Sequence, residues 1–386
     1  MKAQTMHIES SVLNIVHGQA RLSAKIICAD KPRELWFSIP EKHTDWFAVD
    51  RCDGFVVALL LQAMARNENI VTDSPMSSRL WHSLTHFYIP MMVQAFPNLQ
   101  PIQILPSALT SMVTSGTGVA TGFSAGIDSF AAVIRHFVRE ESEDHKVSDF
   151  LFHNVGSHGP GDPEDCRRIF RSRFEAVRPF TNEAGIPITP VDSNLGDIFP
   201  INFVKAHTAL NVGVLLVLQN RFHRYYYAST YKYADCKVAC GVSDISYMDP
   251  MAIHLLSTEC LDCVSTGCEM SRVEKTRLVA TYEPSYRYLN VCVDPDAKGG
   301  NCSVCFKCCR TIRTLELLGL EHHYSKVFDF AKFDKVRLRY LKSIILHNPN
   351  SFESEIANAF YANRSWSWHC LLKVGRWIRK HRQPKK

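Results

Sequence analysis

Long apolar runs are missing from this chain of 386 residues. The longest, Phe55 to Leu61, is far shorter than the roughly 20 apolar residues that a membrane-spanning helix needs. The first residues, Met-Lys-Ala-Gln-Thr-Met-His-Ile-Glu, lack the apolar core of a signal peptide. Low-complexity tracts and internal repeats are missing too. We therefore expect a globular cytoplasmic protein without a membrane span, built as one major domain with additions or as two domains.

Acidic residues are missing from the end of the chain. Residues 356–386 hold eight Lys/Arg and no Asp/Glu, whereas the first 355 residues hold 36 Lys/Arg against 38 Asp/Glu. The net charge of +6 therefore belongs to the tail, and the globular body is close to neutral. The charge of the whole chain gives no argument for a nucleic-acid enzyme.

From residue 117 onward, apolar strand patterns alternate with helical ones. We predict strands at 119–123, 149–155, 188–192 and 224–230, with helices from about 128, over about 163–184 and over about 204–220. Crossovers of this length imply an α/β fold, a parallel sheet with helices on both faces. Residues 1–115 predict a small N-terminal α+β unit on one edge of that sheet: short antiparallel strands over 1–50, helices over 51–67 and 77–96, and a strand within 98–113.

The most informative stretch is Ser124-Ala-Gly-Ile-Asp-Ser129, between the first of these strands and its helix. Such a junction gathers unpaired backbone N–H groups, the hydroxyls of Ser124 and Ser129 and the positive end of a helix dipole, which predicts an anion site. It is not the phosphate loop that ends in Gly-Lys-Ser/Thr, because no lysine follows the glycine. An ordinary strand-to-helix turn is the simpler alternative.

Polar residues also follow the other predicted strands. They are Asn154 to Ser157, Asp192-Ser193 and Ser229-Thr230. Ligands of parallel sheets bind beyond the carboxyl ends of the strands. Each of these residues alone is more often a turn residue or a helix cap, but together they predict one crevice, with Asn154 and Ser229 as candidate nucleotide contacts.

Fourteen cysteines in a chain without a secretion signal argue for metal or free thiols rather than disulfides. Four of them have the spacing C-x9-C-x2-C-x2-C: Cys292, Cys302, Cys305 and Cys308. This spacing predicts a closed structural zinc site, with iron–sulfur as the second choice. Cys309 is an alternative to Cys308 as the fourth ligand. A second set, Cys260, Cys263 and Cys268 with His254 upstream, lacks a paired C-x-x-C and is interpreted as buried thiols.

The loop resembles the PP-loop of the N-type ATP pyrophosphatases, Ser-Gly-Gly-x-Asp-Ser, with Ala125 in place of the first glycine. The run Asn301-Cys-Ser-Val-Cys-Phe-Lys-Cys-Cys-Arg-Thr311 resembles relatives of the 7-cyano-7-deazaguanine synthases of the queuosine pathway, found in biosynthetic and defence gene clusters. Ser271-Arg-Val-Glu-Lys275 and Asp249-Pro250 are similar to stretches that those relatives share. The resemblance covers residues 117–320; residues 325–386, expected to form a helical basic extension, have no counterpart in the synthases.

The resemblance implies a fold of the adenine-nucleotide α-hydrolase (HUP/PP-loop) type over residues 116–324, with a zinc knuckle at about 290–311. It implies that ATP is held by the loop, namely Ser124, Ala125, Gly126, Ile127, Asp128 and Ser129. It further implies that Asp128 binds Mg²⁺ and acts with Ser129, Arg272 and Lys275 in catalysis. Arg272 and Lys275, one turn apart if helical, also fit a solvated, salt-bridged face. A methyl group at Ala125 restricts the backbone and would crowd a nearby phosphate.

The activity that the resemblance implies is an ATP-dependent ligase, forming AMP and pyrophosphate. It would adenylate a carboxylate or similar oxygen and couple it to a nitrogen nucleophile, either substrate being a small molecule or a protein. Two other functions stay open: a tRNA-thiolating PP-loop enzyme, and a non-catalytic nucleotide-binding subunit of a multi-protein system such as antiphage defence. The tail from Arg364 to Lys386 mixes Trp and aliphatic residues with cations, which predicts docking on the domain and a basic end that binds a protein or RNA partner. A homo-oligomer is a further expectation.

Overall fold

The structure is a computed structural model that describes residues 4–28, 31–113, 116–158, 161–199, 202–297, 299–346 and 352–362. Its strands are β1 (Gln4–Ile8), β2 (Val12–Val16), β3 (Gln19–Ile27), β4 (Pro32–Pro40), β5 (Glu68–Thr72), β6 (Met76–Ser77), β7 (Ile104–Leu105), β8 (Leu109–Thr110), β9 (Gly118–Gly122), β10 (Asp149–His153), β11 (Ile188–Ser193), β12 (Phe222–Ala228) and β13 (Asp262–Thr266). Its helices are α1 (Asp53–Arg66), α2 (Ser78–Ser83), α3 (Ile89–Ala95), α4 (Ile127–Val133), α5 (Pro163–Ala184), α6 (Leu195–Ile198), α7 (Phe203–Val217), α8 (Asp249–Ala252), α9 (Arg272–Val279), α10 (Ser285–Tyr288), α11 (Phe306–Leu318), α12 (Phe330–Leu346) and α13 (Phe352–Ala362). Turns of π-helix at Leu84–Tyr88 and Ile134–Val138 join α2 to α3 and extend α4.

Eleven strands of the described residues form one sheet, in the order β13-β12-β9-β10-β11-β4-β3-β1-β5-β7 with β2 paired to β3. The five strands from β13 to β11 are all parallel. Their chain order across the sheet is that of a doubly wound α/β fold, because β10 and β11 lie on one side of β9 while β12 and β13 lie on the other. The point where the order reverses, between β9 and β12, is where such sheets bind ligands.

Two apolar cores cover the two faces of the sheet. Phe123, Phe130, Phe150 and Phe180 pack ring against ring on the face of α4 and α5, with centroids 4.8–5.2 Å apart for the pairs that include Phe123. The other face is covered by α1 and α7, whose backbones approach closely: a Cβ on Gly54 would lie 2.7 Å from the carbonyl oxygen of Gly213. The α/β class and the mostly parallel central sheet predicted from the sequence are confirmed.

The N-terminal strands extend the central sheet rather than forming a separate one. β4 pairs antiparallel with β11, with Asp192 opposite Ser38. The sequence did not predict β5 and β13, and the strand predicted within 98–113 is only the two short strands β7 and β8. The predicted helical extension contains α12 and α13, while the tail beyond residue 362 lies outside the described residues. Among those residues, no helix has both the length and the apolar composition needed to cross a bilayer.

Candidate functional site

A cleft of about 1210 Å³ opens at the carboxyl ends of the parallel strands. One end is lined by the loop after β9, by the start of α9 and by α11 and α13. The other end is lined by residues of α7, of β12 and of the segment that follows β12. Of the residues predicted to bind nucleotide, Ser124, Gly126, Ile127, Asp128 and Ser129 line the cleft.

The loop turns through Ala125, which has a φ of 58°, in the left-handed region that favours glycine. Its carbonyl oxygen accepts a hydrogen bond from the backbone N–H of Asn290, at 2.8 Å. The residue is 1 % exposed and belongs to the apolar core beneath the loop. The methyl group therefore strains the backbone as expected and packs into the core, and the expectation that it crowds a phosphate stays a prediction.

The hydroxyls of the loop lie close together. The Ser129 hydroxyl donates to the carbonyl oxygen of Gly126 at 3.1 Å and lies 3.5 Å from that of Ser124. Ser124 is exposed and Ser129 is buried. Gly126 precedes the first residue of α4, so backbone N–H groups at the start of that helix face the same end of the cleft.

Asp128 forms the centre of a partly buried ion cluster. Its two oxygens lie 2.9 Å from Nη2 of Arg272 and 3.2 Å from Nζ of Lys275. Burial works to raise the pKa of Asp128, but the charges of Arg272 and Lys275 outweigh it and hold that pKa below its ordinary value. Because both cations come from the first turn of α9, 144 and 147 residues away along the chain, the cluster ties that helix to the loop.

Lys275 is fully buried, so its interpretation as part of a solvated face is wrong. Its ammonium group also donates to the carbonyl oxygen of Ser229 at 2.5 Å and lies 3.2 Å from the Ser229 hydroxyl. Burial lowers the pKa of Lys275, and the charge of Asp128 opposes that shift. Ser229 follows β12, so Lys275 connects the two strands that flank the point of reversal.

Asn154 lies elsewhere. Its side-chain amide donates to the carboxylate of Asp192 at 2.6 Å, and neither residue is among those that line the cleft. Ser157 and His158, a few residues further on, do line it. The nucleotide contact assigned to Asn154 stays a prediction.

Two cations of α11, Lys307 and Arg310, also line the cleft, although they were not predicted from the sequence. Lys307 is exposed to the cleft, where desolvation lowers its pKa, as do the neighbouring charges of Arg272 and Arg310, while Asp128 opposes them. Lys307 lies between two predicted metal ligands, and Arg310 follows it by three residues. Residues three apart lie on the same face of a helix, so this spacing could have identified the pair from the sequence.

The four predicted metal ligands form one cluster. The Sγ atoms of Cys292, Cys302, Cys305 and Cys308 all lie within 4.8 Å of one another. Two of the distances, Cys292 to Cys305 and Cys302 to Cys308, are 3.9 and 4.0 Å. Tetrahedral zinc with Zn–S bonds of about 2.3 Å requires S–S distances of about 3.8 Å. The cluster therefore fits a metal such as zinc, as predicted.

The neighbouring cysteines do not join this cluster. The thiol of Cys309 is buried and donates to the carbonyl oxygen of Val304 at 3.4 Å, so Cys308 is the fourth member. In the second predicted set, Cys260 lies beside Arg51 and Cys268 beside Ser265. All three thiols of that set are buried, and within the described part of the chain they form no group with metal-ligand geometry.

The other end of the cleft has a different character. The imidazole of His207 lies 2.6 Å from the Tyr227 hydroxyl through Nδ1 and 3.1 Å from the Ser246 hydroxyl through Nε2. The rings of Tyr231 and Tyr247 stack with centroids 3.9 Å apart, and Tyr231 also stacks on Phe352 of α13 at 5.0 Å, so this aromatic surface reaches the cationic end. This end combines aromatic surface with polar groups, as a site for an organic substrate requires.

Comparison of the chain with protein-family models, with curated proteins and with solved structures finds no match in any of the three.

Proposed function

We propose that this protein is an ATP-dependent ligase of the PP-loop type that cleaves ATP between the α and β phosphates. A carboxylate oxygen of the acceptor substrate attacks the α-phosphorus, the bond to the β-phosphate oxygen breaks, and pyrophosphate leaves. A nitrogen nucleophile then attacks the activated carbonyl carbon, loses a proton and displaces AMP. The observation that carries the proposal is the Asp128–Arg272–Lys275 cluster beside the loop at the point of strand reversal.

The charges at this end of the cleft fit a polyphosphate. Arg272, Lys307 and Arg310 line this end, Lys275 is buried beside Asp128, and the loop adds backbone N–H groups and the Ser124 hydroxyl. In the proposed reaction these groups stabilise the charge that builds up on the leaving pyrophosphate. The doubly wound strand order agrees with the HUP-type fold that the PP-loop resemblance implies.

The donor sets fit the two expected metals differently. Both oxygens of Asp128 are paired with cations, so the residues of the loop do not make a magnesium site by themselves. Mg²⁺ would accompany ATP and take most of its ligands from phosphate and water, and we derive no step through it. The four thiols suit a closed structural zinc site. Asn290, two residues before Cys292, donates to Ala125, which supports a role for the cysteine cluster in holding the loop.

One observation favours a second candidate, the tRNA-thiolating PP-loop enzyme. Cys240 is exposed and lines the cleft, where a thiol could carry sulfur to an adenylated substrate. The cysteine cluster is unsuited to that task because its four thiols face one another. A Cys240→Ser variant separates the two candidates: undiminished formation of the C–N product with the cognate acceptor favours the ligase, and loss of a thiolated product while ATP is still cleaved favours thiolation.

The ligase proposal is tested by following ATP with ³¹P NMR in the presence of ammonium and a pool of carboxylic acids. We expect AMP and pyrophosphate in equal amounts. Asp128→Ala should abolish their release without unfolding the protein, because it leaves Arg272 and Lys275 without the anion that orients them. Asp144→Ala, which removes an exposed carboxylate, is the matched control. Unchanged turnover in Asp128→Ala would end the proposal.

A further inference from the structure

Helix α13 places a carboxylate on the N-terminus of α9. The Glu355 oxygens accept hydrogen bonds from the backbone N–H groups of Arg272 and Val273, at 3.1 and 2.8 Å. The next N–H, that of Glu274, is capped by the Ser271 hydroxyl at 3.3 Å. A carboxylate from 82 residues further along the chain thus occupies the position where a helix N-terminus binds an anion.

A second carboxylate of α13 occupies a guanidinium group of the cleft. One Glu353 oxygen accepts from Nε and Nη2 of Arg310, at 3.1 and 2.8 Å, and the carboxylate is almost fully buried. Phe352 lies between these contacts, with its ring 4.9 Å from the guanidinium of Arg272 and 4.6 Å from that of Arg310. The first turn of α13 is therefore built against the cationic end of the cleft.

Two cations at this end of the cleft have polar groups that these carboxylates do not contact. Arg272 has a side chain only 10 % exposed, and its buried Nε has no hydrogen-bond partner among the described residues. Lys307 faces the same space, and no ion pair joins it to a carboxylate in the described part of the chain. Asp128 of the loop pairs with Arg272 and Lys275, whereas α13 supplies Glu353 to Arg310 and Glu355 to the N-terminus of α9.

We propose that the N-terminus of α9 together with Arg272, Lys307 and Arg310 is a polyphosphate subsite, and that Glu353 and Glu355 occupy it in place of the ligand. The class of ligand is pyrophosphate or the terminal phosphates of a nucleoside triphosphate. Phosphate oxygens and carboxylate oxygens accept the same hydrogen bonds, so α13 and the ligand compete. The helix then acts as an internal inhibitor that leaves when the ligand binds. This inference rests on the proposed function only where it names a nucleoside triphosphate as the ligand. The binding of a polyphosphate anion does not depend on it.

Pyrophosphate binding by the full chain, measured by calorimetry, tests the competition. The double variant Glu353→Gln, Glu355→Gln keeps the side-chain size and removes both charges, and we expect it to bind pyrophosphate roughly tenfold more tightly than wild type. Glu143→Gln, which removes an exposed carboxylate far along the chain, should bind as wild type does. Equal or weaker binding by a folded double variant would overturn the inference.

Hydrogen exchange of the wild-type protein gives a test that needs no variant. Saturating pyrophosphate should reduce the protection of the α13 amides, because the ligand displaces the helix. Increased protection would mean that α13 closes over the ligand, and the competition would then be refuted. Repeating both measurements with ATP identifies the source of the phosphates. Tighter pyrophosphate binding by the double variant, together with no cleavage of ATP in the presence of ammonium and the pool of carboxylic acids, supports the subsite while refuting the ligase.

Discussion

At the scale of single residues, Ala125 stands where the PP-loop pattern has glycine, and its main effect is on the conformation of the backbone. The left-handed conformation costs an alanine roughly 1–2 kcal/mol relative to glycine. Its buried methyl group returns about 0.8 kcal/mol of that through burial. The strain is thus partly offset by packing.

We expect Ala125→Gly to leave the free energy of unfolding unchanged or to raise it by up to about 1 kcal/mol, since it removes the strain and loses one methyl group. Ala131→Gly is the control, because Ala131 is equally buried but lies inside α4. It should lower the free energy of unfolding by about 1 kcal/mol or more, since glycine is unfavourable within a helix. Urea denaturation measures both. Similar losses in the two variants would contradict the assigned conformation of Ala125.

Local patterns were sufficient to select Ser124 to Ser129 and the four clustered cysteines, because each set lies close together in the sequence. Arg272 and Lys275 were chosen through a resemblance, and only the fold brings them to Asp128. Glu353 and Glu355 could not be found in this way. Their partners lie 43 to 83 residues away, and nothing in a short acidic helix specifies which cations it contacts.

At the scale of elements, the segment from Asn290 to Cys308 connects the cysteine cluster to the loop. Backbone N–H groups point at its sulfurs, with Cys302 N 3.4 Å from Cys292 Sγ and Cys305 N 3.2 Å from Cys302 Sγ. Asn290 then donates to Ala125. Loss of the metal should therefore disturb the loop as well as the segment itself.

Elemental analysis of unoxidised protein should find about one zinc per chain. Cys305→Ser should lose the metal and unfold the segment, because binding of a structural metal supplies the free energy that keeps such a segment folded. Cys309→Ser is a close control, since its thiol lies outside the cluster. Chelation should likewise expose the segment to proteases. A metal-free protein that is fully folded, or equal zinc loss in both variants, would contradict the assignment.

Elements were predicted best where their patterns are long. The 22 residues of α5 and the 14 of α1 carry enough periodicity to be found from the sequence. β13 was missed because its five residues, Asp-Cys-Val-Ser-Thr, contain little apolar surface and were assigned to a thiol cluster. Its pairing with β12, with Tyr226 opposite Val264, is a tertiary interaction that a five-residue pattern cannot specify.

At the scale of the whole molecule, one sheet joins the N-terminal strands to the parallel strands that carry the cleft. One core cluster includes Phe37 of β4 and Phe55 of α1 together with Val214 of α7 and Tyr225 of β12. The sequence predicted the N-terminal unit on one edge of the sheet. It could not give the register between β4 and β11, because strand pairing across more than 150 residues depends on the assembled core.

The central claim is that the cleft cleaves the bond between the α and β phosphates of ATP. Two analogues test it most directly, once an acceptor that supports turnover is supplied. With β,γ-methylene-ATP the α–β linkage is intact, and we predict AMP and methylenebisphosphonate as products. With α,β-methylene-ATP that linkage cannot be cleaved, and we predict binding without turnover. Release of inorganic phosphate from α,β-methylene-ATP, with β,γ-methylene-ATP inert, would contradict the account.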